Sequence, residues 1–405
     1  MRWEEKRNSA CETGGRAAVA GGRRRTLRIA IRRMAATLLT PMQISISSKD
    51  RILVVAPHPD DESIGTGGLL QRARQAGAEV RVIFCTSGDN NPWPQRAIEK
   101  RVFISTSARL RWAARRRDEA RAALRFLLGS DRPALFLNLP DQGVTRLLLH
   151  GGEQAIATLR AEFAALRPTI VVLPSADDAH PDHSAMHVLV RFAFCGALDG
   201  CSIFTYVVHR RGNSAPWPSL LLRLSDAEMR DKRHAILCHE TQMALSRRRF
   251  TAYARTEEPY DLLPAPGFAS EHHPVREAEF TDGALRLLIR TGRTPLPRRR
   301  LFVAAQSIPL GMIRWSLVLP AHSRAMEMQD ETSGALLRRC TARVKHGFTE
   351  VKIPAAAMHP VESMFVKITS RRFFFDSSGW REVPPAGGAV GITHRRIRTA
   401  WQGDE

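Results

Sequence analysis

No apolar run in the 405 residues approaches the roughly 20 needed to cross a bilayer as a helix. Cysteine pairing is equally absent. The six cysteines, Cys11, Cys85, Cys195, Cys201, Cys238 and Cys340, are scattered with no CxxC, which argues against a zinc ribbon or a thioredoxin-like centre. A reducing, cytoplasmic compartment is the simpler expectation. The glycine run Gly65-Thr66-Gly67-Gly68 has neither the Gly-x-Gly-x-x-Gly spacing of a dinucleotide site nor the Lys-Ser/Thr of a P-loop, so it reads as close helix packing. No internal repeat and no nucleic-acid-binding motif is visible, and specific nucleic-acid recognition is not expected.

A formal charge of +21 remains to be placed. Residues 1–41 carry +7 and residues 276–405 carry +9, which leaves +5 for residues 42–275. The excess lies outside the chemically informative segment and concerns solubility and anion attraction more than function. Residues 1–47 read as a basic, disordered extension, or as sequence upstream of a start at Met42; such an arm could meet an anionic membrane surface.

From Arg51 onward, strands alternate with helices. Ile52–Ala56 is a continuous apolar run, as in a buried parallel strand, followed by a helix over Gly65–Ala76 and a strand at Val80–Cys85. A helix over Arg109–Leu128, strands at Ala134–Leu139, Thr169–Leu173 and Ile203–Val208, and helices at Glu153–Leu166, His183–Ala197 and Ser225–Leu245 complete the series. The expected fold is α/β, a Rossmann-like, mostly parallel sheet with helices on both faces, plus a small C-terminal β-rich domain. The expected boundaries are a catalytic domain at 48–258, a Pro/Gly/His-punctuated linker at 259–279, the β-rich domain at 280–385 and a tail at 386–405. In such sheets ligands bind beyond the carboxyl ends of the strands.

Two motifs stand there. Ala56-Pro57-His58-Pro59-Asp60-Asp61-Glu62 closes the first strand, with prolines pinning the chain so that His58 and Asp61 can turn toward one ion. Asp178-Ala179-His180-Pro181-Asp182-His183 follows the fourth strand and brings two more imidazoles to the same edge. A catalytic zinc keeps three protein ligands and an open position, and these motifs supply enough.

The pair H-P-D-D-E and D-x-H-P-D-H resembles the PIG-L/LmbE family of zinc N-acetylglucosamine deacetylases. Arg116-x-x-Glu119, Leu139-Pro140-Asp141-Gln142-Gly143 and His239-x-x-Gln242 extend the likeness over about residues 50–245. The resemblance implies one zinc ion per chain bound by His58, Asp61 and His183, with Asp60 as general base. It implies that His180 stabilises the oxyanion or protonates the leaving amine, and that Arg116 and Asp141 contact the sugar or its anionic aglycone. Asp182 is expected to orient His180. The implied reaction is hydrolysis of an N-acetyl group from a glucosamine-containing glycoside, glycolipid precursor or polysaccharide. Zinc acidifies water toward a pKa of about 7, and a carboxylate beside that water can take its proton.

Plainer readings compete at single positions. Asp60 could simply cap a helix, Asp141 could be a turn residue, and Arg115-Arg116-Arg117 could be a solvated helix face. His183-x-x-x-His187 has a spacing that metal sites use, though the family pattern does not need His187. His272-His273 reads as exposed. Phe373-Phe374-Phe375 with Trp380 could stack on sugars or fill a β core. Competing functions are hydrolysis of another acyl amide at the same site, and an inactive carbohydrate-binding relative.

Overall fold

A computed structural model describes residues 42–195, 200–210, 218–263, 273–292, 299–307, 310–354, 361–369 and 378–383. Most of the basic arm, the tail at 386–405, His272 and Phe373–Phe375 lie outside them. Contacts divide the chain into two units, Met1–Met42 and Gln43–Glu405, and the architecture is that of the second.

After a two-residue strand β1 (Met42–Gln43), the chain runs β2 (Arg51–Ala56), α1 (Asp61–Ala76), β3 (Glu79–Thr86), α2 (Pro92–Glu99), α3 (Thr106–Leu128) and β4 (Ala134–Leu139). It continues through α4 (Val144–His150), α5 (Glu153–Leu166), β5 (Ile170–Pro174), α6 (Pro181–Ala193), β6 (Ser202–Tyr206), β7 (Leu220–Arg223), α7 (Asp226–Leu237), α8 (Glu240–Thr251) and β8 (Glu257–Leu263). Strands β7 to β4 lie in the spatial order β7-β8-β6-β5-β2-β3-β4. β2 pairs in parallel with β3 and β5, as do β3 with β4 and β5 with β6, whereas β8 is antiparallel to β6 and β7.

Both faces of this sheet are covered, because successive side chains of a strand point oppositely. Leu53 and Val55 join one core with α4, α5 and α6, while Ile52, Val54 and Ala56 join another with α1, α3 and α7. Helix α1 lies close on the strands. A Cβ on Gly65 would stand 2.5 Å from Tyr206 and one on Gly68 2.3 Å from Leu224, so the glycine run serves packing. From β2 the chain builds outward to β3 and β4, then returns to the other side with β5 and β6. The crevice between β2 and β5 is therefore the switch point at which α/β sheets bind ligands, and each of the two strands ends in one motif.

The helix expected over Ser225–Leu245 is broken in two. Ser225 and Glu228 form a capping box that starts α7, and the chain turns at Cys238–His239 before α8 begins.

Strands β9 (Val275–Thr281), β10 (Ala284–Arg290), β11 (Arg300–Ser307), β12 (Gly311–Val318), β13 (Arg324–Asp330), β14 (Leu336–Lys345), β15 (Phe348–Pro354), β16 (Val361–Thr369) and β17 (Arg381–Glu382) form a nine-stranded sheet with antiparallel pairings. Residues 259–279, read as a linker, contain the end of β8 and most of β9. Alternation decides where this sheet packs: Leu301, Val303 and Ala305 face its own core, while Phe302, Ala304 and Phe365 enter the core built on α4, α5 and α6. Arg314 crosses the same boundary, donating through Nε to Leu148 O (2.8 Å) and pairing with Glu153 (2.5 Å).

Candidate metal centre

Helix α6 begins at Pro181, a residue suited to the first helical position because its nitrogen has no hydrogen to satisfy. That start aims His183 back at the loop after β2. His183 Nε2 lies 3.2 Å from His58 Nδ1 and 3.1 Å from Asp61 Oδ2, and the last two atoms are 3.2 Å apart. Three donors held by a tetrahedral ion at 2.0–2.2 Å stand about 3.3–3.6 Å from one another, so a small outward shift of this triangle seats one ion. Two basic nitrogens and a carboxylate oxygen, all buried, have no better common partner than a cation, and the donor set fits zinc.

The partners behind these candidate ligands are carboxylates. His58 Nε2 lies 3.2 Å from Asp141 Oδ1 and 3.3 Å from Asp182 Oδ2, so its proton belongs on Nε2 and Nδ1 is left to face the cluster. Asp182 is fixed in turn by the backbone N–H groups of Gln142 (2.7 Å) and Val144 (3.1 Å), and Asp141 by that of Asn90 (2.6 Å). The expectation that Asp182 orients His180 is thus corrected. Its carboxylate serves His58, and only its backbone N–H reaches His180, at Nδ1 (3.2 Å). Asp178, to which sequence reasoning gave no role, has Oδ2 3.3 Å from His183 Nδ1, close enough for ion pairing but off hydrogen-bond alignment. It also accepts the N–H groups of His180, Val208 and His209.

Asp60 does occupy the N-cap position of α1, but its side chain makes no capping bond. Its φ of 135° is a conformation L residues rarely adopt, held where the surroundings over-determine it. The Asp60 N–H donates to Glu62 Oε2 (2.9 Å), and Glu62 Oε1 takes His239 Nε2 (2.9 Å). Arg116 is neither a solvated helix residue nor turned to an open groove. It is buried, donating to Gly88 O (2.8 Å) and Pro59 O (2.5 Å) and pairing with Asp60 Oδ2 (3.2 Å). Asp141 likewise faces inward, toward His58. Glu119 accepts the N–H and hydroxyl of Thr241, tying α3 to α8 beside Gln242.

His180 caps α6 with Nδ1 as acceptor, which places the neutral ring's hydrogen on Nε2. Its ring centroid is 4.7 Å from that of His58 and 5.0 Å from that of His183. Sequence reasoning missed His209, whose ring lies 5.0 Å from His183 and 5.3 Å from His180; its one signal is a place just beyond the carboxyl end of β6. Asp61, His183 and His209 can offer ligand atoms to one ion, as can His58, His180 and His183. His187 instead turns away, with Nδ1 donating to Pro174 O (2.9 Å) and its ring against Phe365 of β16. His273 is buried rather than exposed, its Nδ1 accepting from Val275 N–H and its Nε2 donating to Gly379 O.

The electrostatics divide these groups. Burial opposes charge on His183, but Asp61 and Asp178 outweigh it and hold its pKa at about 10. Burial likewise opposes charge on His58, and Asp141, Asp182 and Asp61 lift its pKa well above the usual histidine value. Burial, with His58 and His183 nearby, keeps His180 neutral by lowering its pKa. Burial raises Asp60 to about 6, with Arg116 pulling it down and Asp61 pushing it up.

Residues 53–194, the stretch that holds both motifs, match the family described as GlcNAc-PI de-N-acetylase, PIG-L. These residues are a PIG-L domain. Among curated proteins, the 1D-myo-inositol 2-acetamido-2-deoxy-alpha-D-glucopyranoside deacetylase of Corynebacterium kroppenstedtii is 30% identical over 157 residues, 35% of this chain and 40% of its own length. The enzyme of that name from Nocardia farcinica is 32% identical over 146 residues, 34% of this chain and 49% of its own. The chain spans about half the length of the curated relatives it matches. A solved structure, the conserved protein TT1542 from Thermus thermophilus, is 26% identical and covers 55% of this chain and 97% of its own, with a TM-score of 0.40. His209, His239 and the second sheet all lie outside the PIG-L domain.

Proposed function

We propose that the protein is a zinc-dependent N-deacetylase that hydrolyses the N-acetyl group of an N-acetylglucosamine-containing glycoside, glycolipid precursor or polysaccharide, with a Rossmann-like domain carrying the site. The observation that carries this reading is the triangle of His58 Nδ1, Asp61 Oδ2 and His183 Nε2, whose sides of 3.1–3.2 Å suit one small cation inside a PIG-L domain. When bound, zinc supplies Lewis acidity toward the acyl oxygen and lowers the pKa of water.

The chain's own residues supply the rest. Asp60, held by Arg116, takes the proton of the attacking water and passes it to the amine nitrogen as the C–N bond breaks. His180 is neutral and carries its hydrogen on Nε2, so it donates a hydrogen bond to the acyl oxygen as charge develops there. Asp141 and Asp182 keep the proton of His58 on Nε2 and position its ring. In this reading Arg116 and Asp141 hold catalytic groups in place, in preference to the sugar contacts expected of them.

Amine release from a panel of N-acetylated amino sugars tests the proposal, using the zinc-reconstituted protein beside a chelated sample and His183→Ala. Release that needs metal and disappears in the variant is expected. Stoichiometric zinc without release from any member would overturn the acyl group assigned here.

A further inference from the structure

Helix α2, the loop after it and the first turns of α3 form a helix–loop–helix segment that the chemistry above does not use. Of the ten most exposed large apolar side chains among the described residues, four fall within it: Phe103 at 90%, Val102 at 71%, and Trp93 and Leu110 at 64% each. Between and beside them stand Arg96, Lys100, Arg101, Arg109 and Arg111, against the single acid Glu99. The Arg96 guanidinium lies 5.2 Å from the centroid of the Trp93 ring.

The arrangement is built rather than loose. Asn91 caps α2 by accepting the N–H of Trp93 (3.3 Å), and the buried Gln95 donates to Ala108 O (2.9 Å), tying α2 to the first turn of α3. That inner brace leaves Val102 and Phe103 at the tip, facing water. The segment is also anchored at the site: Asn90 N–H donates to Asp141 Oδ2 and Gly88 O accepts from Arg116.

From this we propose that residues 93–111 dock the protein on an anionic lipid surface, with Trp93, Val102, Phe103 and Leu110 entering the headgroup region and the five cations meeting lipid phosphates. Charge selects the partner. Clustered Arg and Lys draw a protein to anionic lipid, and protruding Trp, Phe, Val and Leu gain from an apolar medium that needs no matching pocket. A nucleic acid would satisfy the cations and leave the Val and Leu in water. Among the described residues no helix is long and apolar enough to span a membrane. The inference is independent of the reaction at the metal centre.

The test is sedimentation of the full chain with phosphatidylcholine vesicles, with and without phosphatidylglycerol. Wild type is expected to partition onto the anionic vesicles. Phe103→Ser, exposed and hence neutral for folding, should lower partitioning roughly tenfold or more, and Arg101→Ala should lower it about fivefold at low salt. Every variant keeps residues 1–41, so binding carried by that basic arm would be unchanged. Equal partitioning of wild type and Phe103→Ser would overturn the proposal, as would equal binding to vesicles lacking phosphatidylglycerol. So would a Phe103→Ser protein that loses self-association while its partitioning stays the same, since the surface would then belong to a second copy of the chain.

Discussion

The two loops that make the candidate metal centre start alike and are secured differently. The loop after β2 is held directly by residues of the PIG-L domain: Pro57 O accepts from Thr86 N–H (2.9 Å), Pro59 O from Arg116, and Asp60 N–H donates to Glu62, which His239 backs from beyond the domain. The loop after β5 is held partly from outside it. Asp178 gathers the N–H groups of Val208 and His209, and the N–H of Trp380, the residue just before β17 of the second sheet, donates to Ala176 O (2.8 Å). Gly379 fits against the same carbonyl so closely that a Cβ there would stand 1.8 Å from Ala176 O. A domain shared with relatives thus supplies the candidate ligands, while a sheet beyond it braces one of the loops that carry them.

That difference can be pressed hardest at Asp60. Asp60→Asn should lower kcat roughly 10²- to 10⁴-fold with zinc content unchanged, as metal analysis beside steady-state kinetics will show; a wild-type rate would remove the assigned base. Next come the carboxylates behind the ligands. Asp182→Asn, acting through His58, and Asp178→Asn, acting through His183, should each weaken zinc about 10- to 100-fold in competition with a chromophoric chelator, and a loss confined to Asp182→Asn would make the first loop the dominant one. Gly379→Ala sharpens the comparison with the smallest expected effect. By pushing Ala176 it should reduce zinc affinity about tenfold and distort the visible spectrum of the cobalt-substituted protein. An unaltered spectrum would mean that the second sheet steadies the fold without steadying the site.

Much of this was legible in the chain. The buried strands read from uninterrupted apolar runs, and the two motifs read because short-range constraints, prolines and a strand end, decide which way their side chains turn. Arg116 stands in a run of arginines, and that run by itself suggests a solvated helix face. Its phase says otherwise, since it falls on the stripe of Ala113, Ala120 and Ala123 that packs inward on α3. The single long helix expected over Ser225–Leu245 is another departure: periodicity continues through Cys238–His239, where the chain breaks the helix and His239 meets the distant Glu62.

Local sequence determined which residues can bind a cation, where strands and helices begin, and the α/β class, because these follow from side-chain chemistry and from contacts a few residues apart. Only tertiary structure decided that Asp182 serves His58, that His209 joins the cluster, that His187 leaves it, and that a nine-stranded sheet braces the second loop. Each of those depends on atoms from distant parts of the chain meeting in one buried place, where an unpaired polar group is costly and partners are fixed by packing rather than by spacing.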